Sequence, residues 1–336
     1  MPSNRPQPMA VMGAGSWGTA LAIQLARTGH PTHLWGRNAA QVDAMRRMRC
    51  NERYLPDAAF PATLEVTTDL NQALSGVRDA LLAVPSHAFR ATLQMVRPHL
   101  NEDARIAWAT KGFEIASGML PHQVASEILG ARPGAVLSGP TFAEEVGAGL
   151  PTAMTVASRD PAFAKALASR LSGPNFRAYM QTDIMGVEVG GAVKNVIAIG
   201  SGIADGMGFG ANTRVALITR GLAEMMRLGV KLGAARETFM GLAGLGDLVL
   251  TCTDNQSRNR RLGLALGRGR SMEDAQQDIY QVVEGVPASK AVYAVAERLA
   301  VEMPICREVY RIMHEGKPVR EAVQELMGRE MRFEAD

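Results

Sequence analysis

Residues 9–18, Met-Ala-Val-Met-Gly-Ala-Gly-Ser-Trp-Gly, constrain the chain more than any other stretch, because an apolar run ends there in glycines spaced Gly13-x-Gly15-x-x-Gly18. Gly13 permits a tight strand-to-helix turn, Gly15 lets the backbone approach a pyrophosphate, and Gly18 lets the helix pack close to the strand. An anion then rests on the free N–H groups at the helix start. A chain with 34 glycines meets this spacing by chance, so the surroundings decide. A strand candidate at 8–12 precedes the glycines, good helix formers at 19–27 follow, and Gly29 stands where a helix C-terminal glycine belongs. A second short strand at 32–35 completes a strand-helix-strand unit. The expectation is a dinucleotide site at Gly13, Gly15 and Gly18 rather than an ordinary glycine turn.

After Trp35 come Gly36 and Arg37, where an acidic residue would bind the ribose hydroxyls of NAD. An arginine there can pair with a 2′-phosphate, which admits NADP(H) beside NAD(H), unless Arg37 is an exposed loop residue. Residues 38–53 have a helical pattern with a basic, solvated face, and 64–67 read as a strand. The apolar run 78–85, cut off by Pro85, looks like a parallel strand buried on both faces, with Pro85-Ser86-His87 opening a loop near the cofactor. Strands at 105–110 and 135–138 run into Lys111-Gly112 and Gly139-Pro-Thr-Phe-Ala143. Both loops open at the carboxyl edge of the sheet, where open parallel sheets bind ligands. Lys111, flanked by apolar residues and glycine, either touches substrate or is solvated. Residues 150–157 add a strand and 162–171 a helix.

The chain has 336 residues, enough for two domains or one large one. Its net charge of +3 gives no global electrostatic case for nucleic acid or a membrane surface. Cys50, Cys252 and Cys306 are far apart and odd in number, with no Cys-x-x-Cys pair, which fits reduced thiols. The N-terminus is polar and proline-rich where a signal peptide needs an apolar core, and no uninterrupted apolar run spans a bilayer. A cytoplasmic protein without a membrane span is expected.

Around 184–190 the texture changes to long, apolar, glycine-studded helical runs, which places a domain boundary there. The helix expected at 184–204 is too apolar all round for a surface. Inside it sits Lys194, whose face carries Val187, Gly190, Gly191, Ile197 and Ala198 and no counter-charge. The two glycines clear room for a ligand above the ammonium. Desolvation and a neighbouring cation lower a lysine pKa toward the range of a base near neutral pH, and Lys194 is the first choice for proton transfer, with Asn195 placed to orient it. Residues 215–228 read as another buried helix with Arg220 and Glu224 as a structural pair. Asp247 is the single carboxylate of an otherwise uncharged run, either capping a helix or bonding a ligand or lysine. Ser257, Arg258 and Asn259 bring hydroxyl, guanidinium and amide groups to a helix start, which suits a phosphate; the alternatives are a plain cap followed by a basic face, or a nucleic-acid patch, against which the lack of interleaved aromatics speaks. Residues 281–287 form a turn that could close over the site, and the helices beyond it look like packing.

Assembled in order, Gly13-Ala-Gly-Ser-Trp-Gly-Thr-Ala20, Ala109-Thr-Lys-Gly112, Ser138-Gly-Pro-Thr-Phe-Ala143, Val193-Lys-Asn195, Gly241-Leu-Ala-Gly-Leu-Gly-Asp-Leu248, Ser257-Arg-Asn259 and Val283-Glu-Gly285 resemble the bacterial-type NAD(P)-dependent glycerol-3-phosphate dehydrogenases over nearly the full length. The resemblance implies an α/β Rossmann-like dinucleotide-binding domain over 1–188. It also implies an all-α substrate-binding domain over 189–336, like the C-terminal domain of 6-phosphogluconate dehydrogenase. It implies reversible reduction of dihydroxyacetone phosphate to sn-glycerol 3-phosphate with NADPH or NADH, for phospholipid synthesis, without a metal. Lys194 then exchanges the proton. Ser16, Trp17, Arg37, Lys111, Ala143, Arg258, Val282 and Glu284 contact cofactor, and Lys111, Gly139, Thr141, Lys194, Asp247, Ser257, Arg258 and Asn259 contact substrate. Thr141 stands where many relatives carry serine and keeps the hydroxyl. A homodimer without a nucleic-acid partner is expected. The alternatives are a related hydroxyacid dehydrogenase, which would prefer a carboxylate substrate, and a non-catalytic NAD(P)-binding regulator.

Overall fold

The computed structural model describes residues 7–279, 282–330 and 333. Its first half is one sheet made of β1 (Met9–Met12), β2 (Thr32–Trp35), β3 (Leu64–Thr67), β4 (Asp79–Leu82), β5 (Arg105–Trp108), β6 (Gly134–Ser138), β7 (Thr152–Ser158) and β8 (Phe176–Gln181). The strand order is β3-β2-β1-β4-β5-β6-β7-β8. The first six strands are parallel, β7 runs antiparallel to β6, and β8 is parallel to β7. The order reverses between β1 and β4, the switch point at which such sheets open a crevice. Helices α1 (Ser16–Arg27), α2 (Ala39–Met48), α3 (Leu70–Leu74), α4 (Ser86–Val96), α5 (Pro121–Leu129), α6 (Ala143–Ala148) and α7 (Pro161–Leu171) connect the strands. Two apolar clusters form, one centred on Leu21, Leu34, Leu137 and Phe163, the other on Phe89, Trp108 and Val136. β1 and β4 are buried at every residue, which is why they read as apolar runs, broken only by Asp79 at the start of β4, where Arg105 pairs with it.

Two expectations change here, and one strand was unread. Pro85-Ser86-His87 opens not a loop but α4: Pro85 is its N-cap, with ψ 153° outside the helix, and Ser86 is its first residue. The helix expected over 38–53 ends at Met48, because Arg49 turns left-handed with φ 53° and its guanidinium then reaches the Leu64 and Pro61 carbonyls. The edge strand β8 was not foreseen: Phe-Arg-Ala-Tyr-Met-Gln buries only its first residue and carries no apolar run.

The second half is helical: α8 (Ile184–Gly206), α9 (Ala211–Leu232), α10 (Asp247–Thr253), α11 (Arg258–Gly267), α12 (Met272–Gln277), α13 (Gly285–Arg298), α14 (Pro304–His314) and α15 (Val319–Met327). Among the described residues α8 is the one helix long and apolar enough to cross a membrane, but most of it is buried in this protein's own core. Its side chains meet those of α9, α11, α13 and α14 in a third apolar cluster. α9 is not buried all round as expected; it is amphipathic, with Val215 and Val230 exposed and Ile218, Leu222, Met225 and Leu228 facing inward. Glu224 spends its carboxylate on the N–H groups of Ile305 (2.6 Å) and Cys306 (3.1 Å), capping the first turn of α14.

Two devices fix α8. Glu188 accepts hydrogen bonds from Trp108 Nε1 on β5 (2.7 Å) and from the backbone N–H of His122 on α5 (2.9 Å), which ties the helix to the sheet. Farther along, Gly206 lies against Gly267 of α11 and Gly202 against the Arg260 carbonyl, so the two backbones touch; a Cβ on Gly263 would strike the carbonyl of Ile199. This contact sets the distance between the helix carrying Lys194 and the helix that begins at Arg258. Gly263→Ala is therefore expected to destabilise the protein by about 1–3 kcal/mol, the usual scale of overpacking, read as a lower denaturation midpoint. An unchanged midpoint would show that the crossing is loose.

Candidate active site

The site begins at the glycine turn. β1 ends at Met12 and Gly13 follows at φ +122°, where any side chain would be strained and would run into the Ala83 carbonyl. A Cβ on Gly18 would overlap the carbonyl of Gly13, so only glycine lets α1 lie this close to the strand. Gly15 differs: nothing lies within 4 Å of where its Cβ would be. It is the N-cap of α1 and offers no side chain to cap the first N–H groups. Trp17 Nε1 is buried without a hydrogen-bond partner among the described residues. Empty space over Gly15, an uncapped helix N-terminus and an orphaned donor fit an anionic dinucleotide.

A cleft of about 150 Å³ runs from this turn to the helical domain. Of the residues expected in the site it is lined by Ser16, Trp17, Lys111, Thr141, Ala143, Lys194, Ser257, Arg258, Asn259, Val282 and Glu284, drawn from both halves of the chain. Asp247 stands just behind the wall, wholly buried. Gly139 is buried too, at φ +151°, with its Cα facing the Met154 backbone, so it shapes the loop that carries Thr141. Arg37 is exposed at the end of β2 and lies outside the cleft lining, as does Gly15. Gln281, where the closing turn was expected to start, lies outside the described residues.

The chemistry centres on one carboxylate between two amines. Lys194 is 7% exposed, and its Nζ bonds Asp247 Oδ1 and Thr251 Oγ1 (2.9 Å); Lys111 Nζ bonds Asp247 Oδ2 at 2.7 Å. The counter-charge missing from the face of α8 is thus supplied by α10, and Asp247 bonds lysines rather than capping a helix. Asn195 does not orient Lys194; its Oδ1 accepts from Asn259 Nδ2 at 2.9 Å. Nor do the glycines before Lys194 leave room for a ligand. Gly190 is pressed against the Ala243 carbonyl and Gly191 against the Lys111 stem.

Burial is the largest influence on Lys194 and drives its pKa down; Asp247 opposes this, the Lys111 charge adds to it, and the result is about 8. Burial alone would raise the Asp247 carboxyl, but the two ammonium charges outweigh it and hold the group below the usual carboxylate range. The cluster carries a net positive charge when both lysines are protonated, facing a cleft in which charge is poorly screened.

The far end of the cleft is a second helix N-terminus. Ser257 caps α11 by accepting from the Arg260 N–H at 3.2 Å. Arg258 donates one N–H to the Val282 carbonyl (2.9 Å), leaving the rest of its fork for a ligand. Asn259 also accepts from the Gly285 N–H (2.8 Å), joining the starts of α11 and α13 to α8. Gln256 bridges the mouth by donating to Glu145 of α6 at 2.9 Å. Sequence reasoning missed Thr251, Phe142 and Gln256 as lining residues. For Thr251 a signal existed: it lies four residues after Asp247, on the same helical face.

A doubly wound sheet with an anion cradle at its switch point, closed by a helical domain that brings a lysine, is the two-domain fold of nicotinamide-nucleotide dehydrogenases. Family models described as NAD-dependent glycerol-3-phosphate dehydrogenase N-terminus and C-terminus match residues 8–164 and 183–324, and the chain belongs to that family. It is 58% identical over 328 residues, 97% of each chain, to the glycerol-3-phosphate dehydrogenase of Edwardsiella ictaluri. It is also 58% identical over 330 residues to that of Photorhabdus laumondii, covering 98% of this chain and 97% of the relative. The crystal structure of glycerol-3-phosphate dehydrogenase from Coxiella burnetii superimposes with TM-score 0.94 at 50% identity, over 96% of this chain and 99% of that one. D-mandelate dehydrogenase shares the fold alone, with TM-score 0.65 at 16% identity over 92% of this chain and 97% of that one.

The triad makes a direct physical prediction. The ε-carbon NMR signal of Lys194 in ¹³C-lysine-labelled protein should titrate with a midpoint near pH 8. Asp247→Asn removes the carboxylate charge, which raises this value, so the midpoint should move lower. A midpoint that stays put, or rises, would separate Asp247 from the electrostatics of Lys194.

Proposed function

We propose that the protein catalyses the reversible reduction of dihydroxyacetone phosphate to sn-glycerol 3-phosphate with NADPH or NADH, providing the glycerol backbone of phospholipids. The reading rests foremost on one observation: two helix N-termini and the Lys194–Asp247–Lys111 cluster converge on a single cleft. In this reading residues 1–188 hold the nucleotide and 189–336 supply the lysine and most of the phosphate grip. Ser16, Trp17, Ala143, Val282 and Glu284 hold the cofactor, with Gly13, Gly15 and Gly18 shaping its cradle. Arg37 takes the adenosine end. Ser257, Arg258, Asn259 and Thr141 hold the substrate, and the protein works as a cytoplasmic homodimer with no nucleic-acid partner.

When bound, the reduced nicotinamide supplies the hydride. The protein's own part is to hold the ketone and manage the proton. Arg258 and the α11 N-terminus take the phosphate, which fixes the pose of the carbonyl. The Lys194 ammonium donates to the carbonyl oxygen as it gains charge, and Lys111 adds positive potential there. Asp247 keeps both amines in place and, through its charge, keeps Lys194 protonated at neutral pH. In the oxidative direction the uncharged Lys194 amine accepts the hydroxyl proton.

Lys194→Ala should leave cofactor affinity unchanged while slowing turnover by about a hundredfold or more, the scale of a lost general acid. Near-normal turnover would remove Lys194 from the mechanism. The pH dependence follows from the pKa of about 8. The reductive rate needs the ammonium and should fall above this pH, whereas the oxidative rate needs the free amine and should rise through it. Arg258→Ala should weaken binding of the phosphorylated ketone by about 1.5–3 kcal/mol, read as a higher KM. The deciding assay mixes the protein with dihydroxyacetone phosphate and each reduced nicotinamide in turn and follows absorbance; a carboxylate ketone preferred over the phosphate would overturn the proposal.

A further inference from the structure

Arg260 is two residues beyond Arg258 yet takes no part in the chemistry above. Its side chain does not line the cleft, and the residue is only 7% exposed. A buried guanidinium is expensive unless its donors are matched. Here they are matched by acceptors on three separate segments of the chain. Nε donates to the carbonyl of Cys252 in the last turn of α10 (3.1 Å), one terminal nitrogen to Asn255 Oδ1 in the connecting loop, and the other to Asp205 Oδ2 on α8 (2.5 Å). Ser201 of α8 donates to the same Cys252 carbonyl at 3.1 Å. These are the elements that carry the active groups: α8 holds Lys194, α10 holds Asp247 and Thr251, and the loop leads into Ser257 and Arg258.

We infer that Arg260 is a positioning residue that locks the start of α11, the phosphate grip, at a fixed distance from the Lys194 ammonium. Asp205 lies about 16 Å along the same rigid helix from Lys194, at 1.5 Å per residue. Pinning the loop to Asp205 therefore gauges the separation between proton donor and anion site. A substrate is accepted when its carbonyl and phosphate match that separation. This rests on the proposed reading that the α11 N-terminus binds the phosphate. Lysine cannot replace the fork, since one ammonium does not reach acceptors on three segments at once.

The test compares Arg260→Met and Arg260→Lys with the wild type, using dihydroxyacetone phosphate and unphosphorylated dihydroxyacetone. Methionine is tolerable here because Asp205 keeps its bond to Arg214 (2.9 Å), so no carboxylate is left unpaired. Arg260→Met should raise KM for the phosphorylated ketone about tenfold or more with a smaller change in kcat, and leave kcat/KM for dihydroxyacetone nearly unchanged. Arg260→Lys, which keeps the pair with Asp205, should restore part of the preference for phosphate. If Arg260→Met does not fold, Asp205→Asn reads the same shift. A purely structural role would lower the rate on both substrates equally, through loss of active protein, with KM unchanged, and would overturn the inference. Failure of the wild type to reduce the phosphorylated ketone would instead overturn the functional reading, and this inference with it.

Discussion

A single buried carboxylate bonded to two lysines from opposite halves of the chain is the interaction on which the rest of this structure depends. Lys111 comes from the end of β5 and Lys194 from the middle of α8, and Asp247 receives both. Such a cluster is poor as a source of stability, because desolvating three charges consumes much of what their attraction returns. Its value lies in what it does to Lys194. Burial lowers the affinity of that amine for its proton while Asp247 keeps the loss moderate, so the group exchanges a proton near physiological pH.

Holding the cluster requires rigid supports, and these are unusually close backbone contacts. Gly18 against Gly13, Gly190 against Ala243, and the glycines along the crossing of α8 and α11 let main chains meet where side chains would separate them. Glu188 adds a polar tie between α8 and the sheet. Two helix N-termini, those of α1 and α11, therefore face one cleft with fixed spacing. A molecule with an anionic group at each end of a reacting pair finds partial positive charge at both.

Much of the nucleotide-binding half was legible because its signals are local. A strand buried on both faces must be mostly apolar, and a turn at φ +122° favours glycine, so β1, β4 and the Gly13 turn could be read directly. β8 could not, being an edge strand that buries little, and the antiparallel run of β7 left no mark on its composition. In the helical half the apolar length of α8 and the oddity of Lys194 within it were plain. The purpose of the glycines beside Lys194 was not, because Gly190 accommodates the Ala243 backbone and Gly191 the Lys111 stem, both far away in sequence.

The amino-acid sequence by itself determined the parts: a glycine turn after a buried strand, a lone lysine in an apolar helix, a lone aspartate in an uncharged run, and a serine-arginine-asparagine helix start. Each is set by short-range requirements of φ, burial or capping. Only the tertiary structure decided their partners. That Asp247 serves Lys194 and Lys111, that Thr251 completes the lysine's bonds, and that Arg260 turns inward to Asp205 while Arg258 faces the cleft all depend on long-range packing. A charge in an apolar segment announces that it needs a partner, but the partner is chosen by which helices pack together in three dimensions.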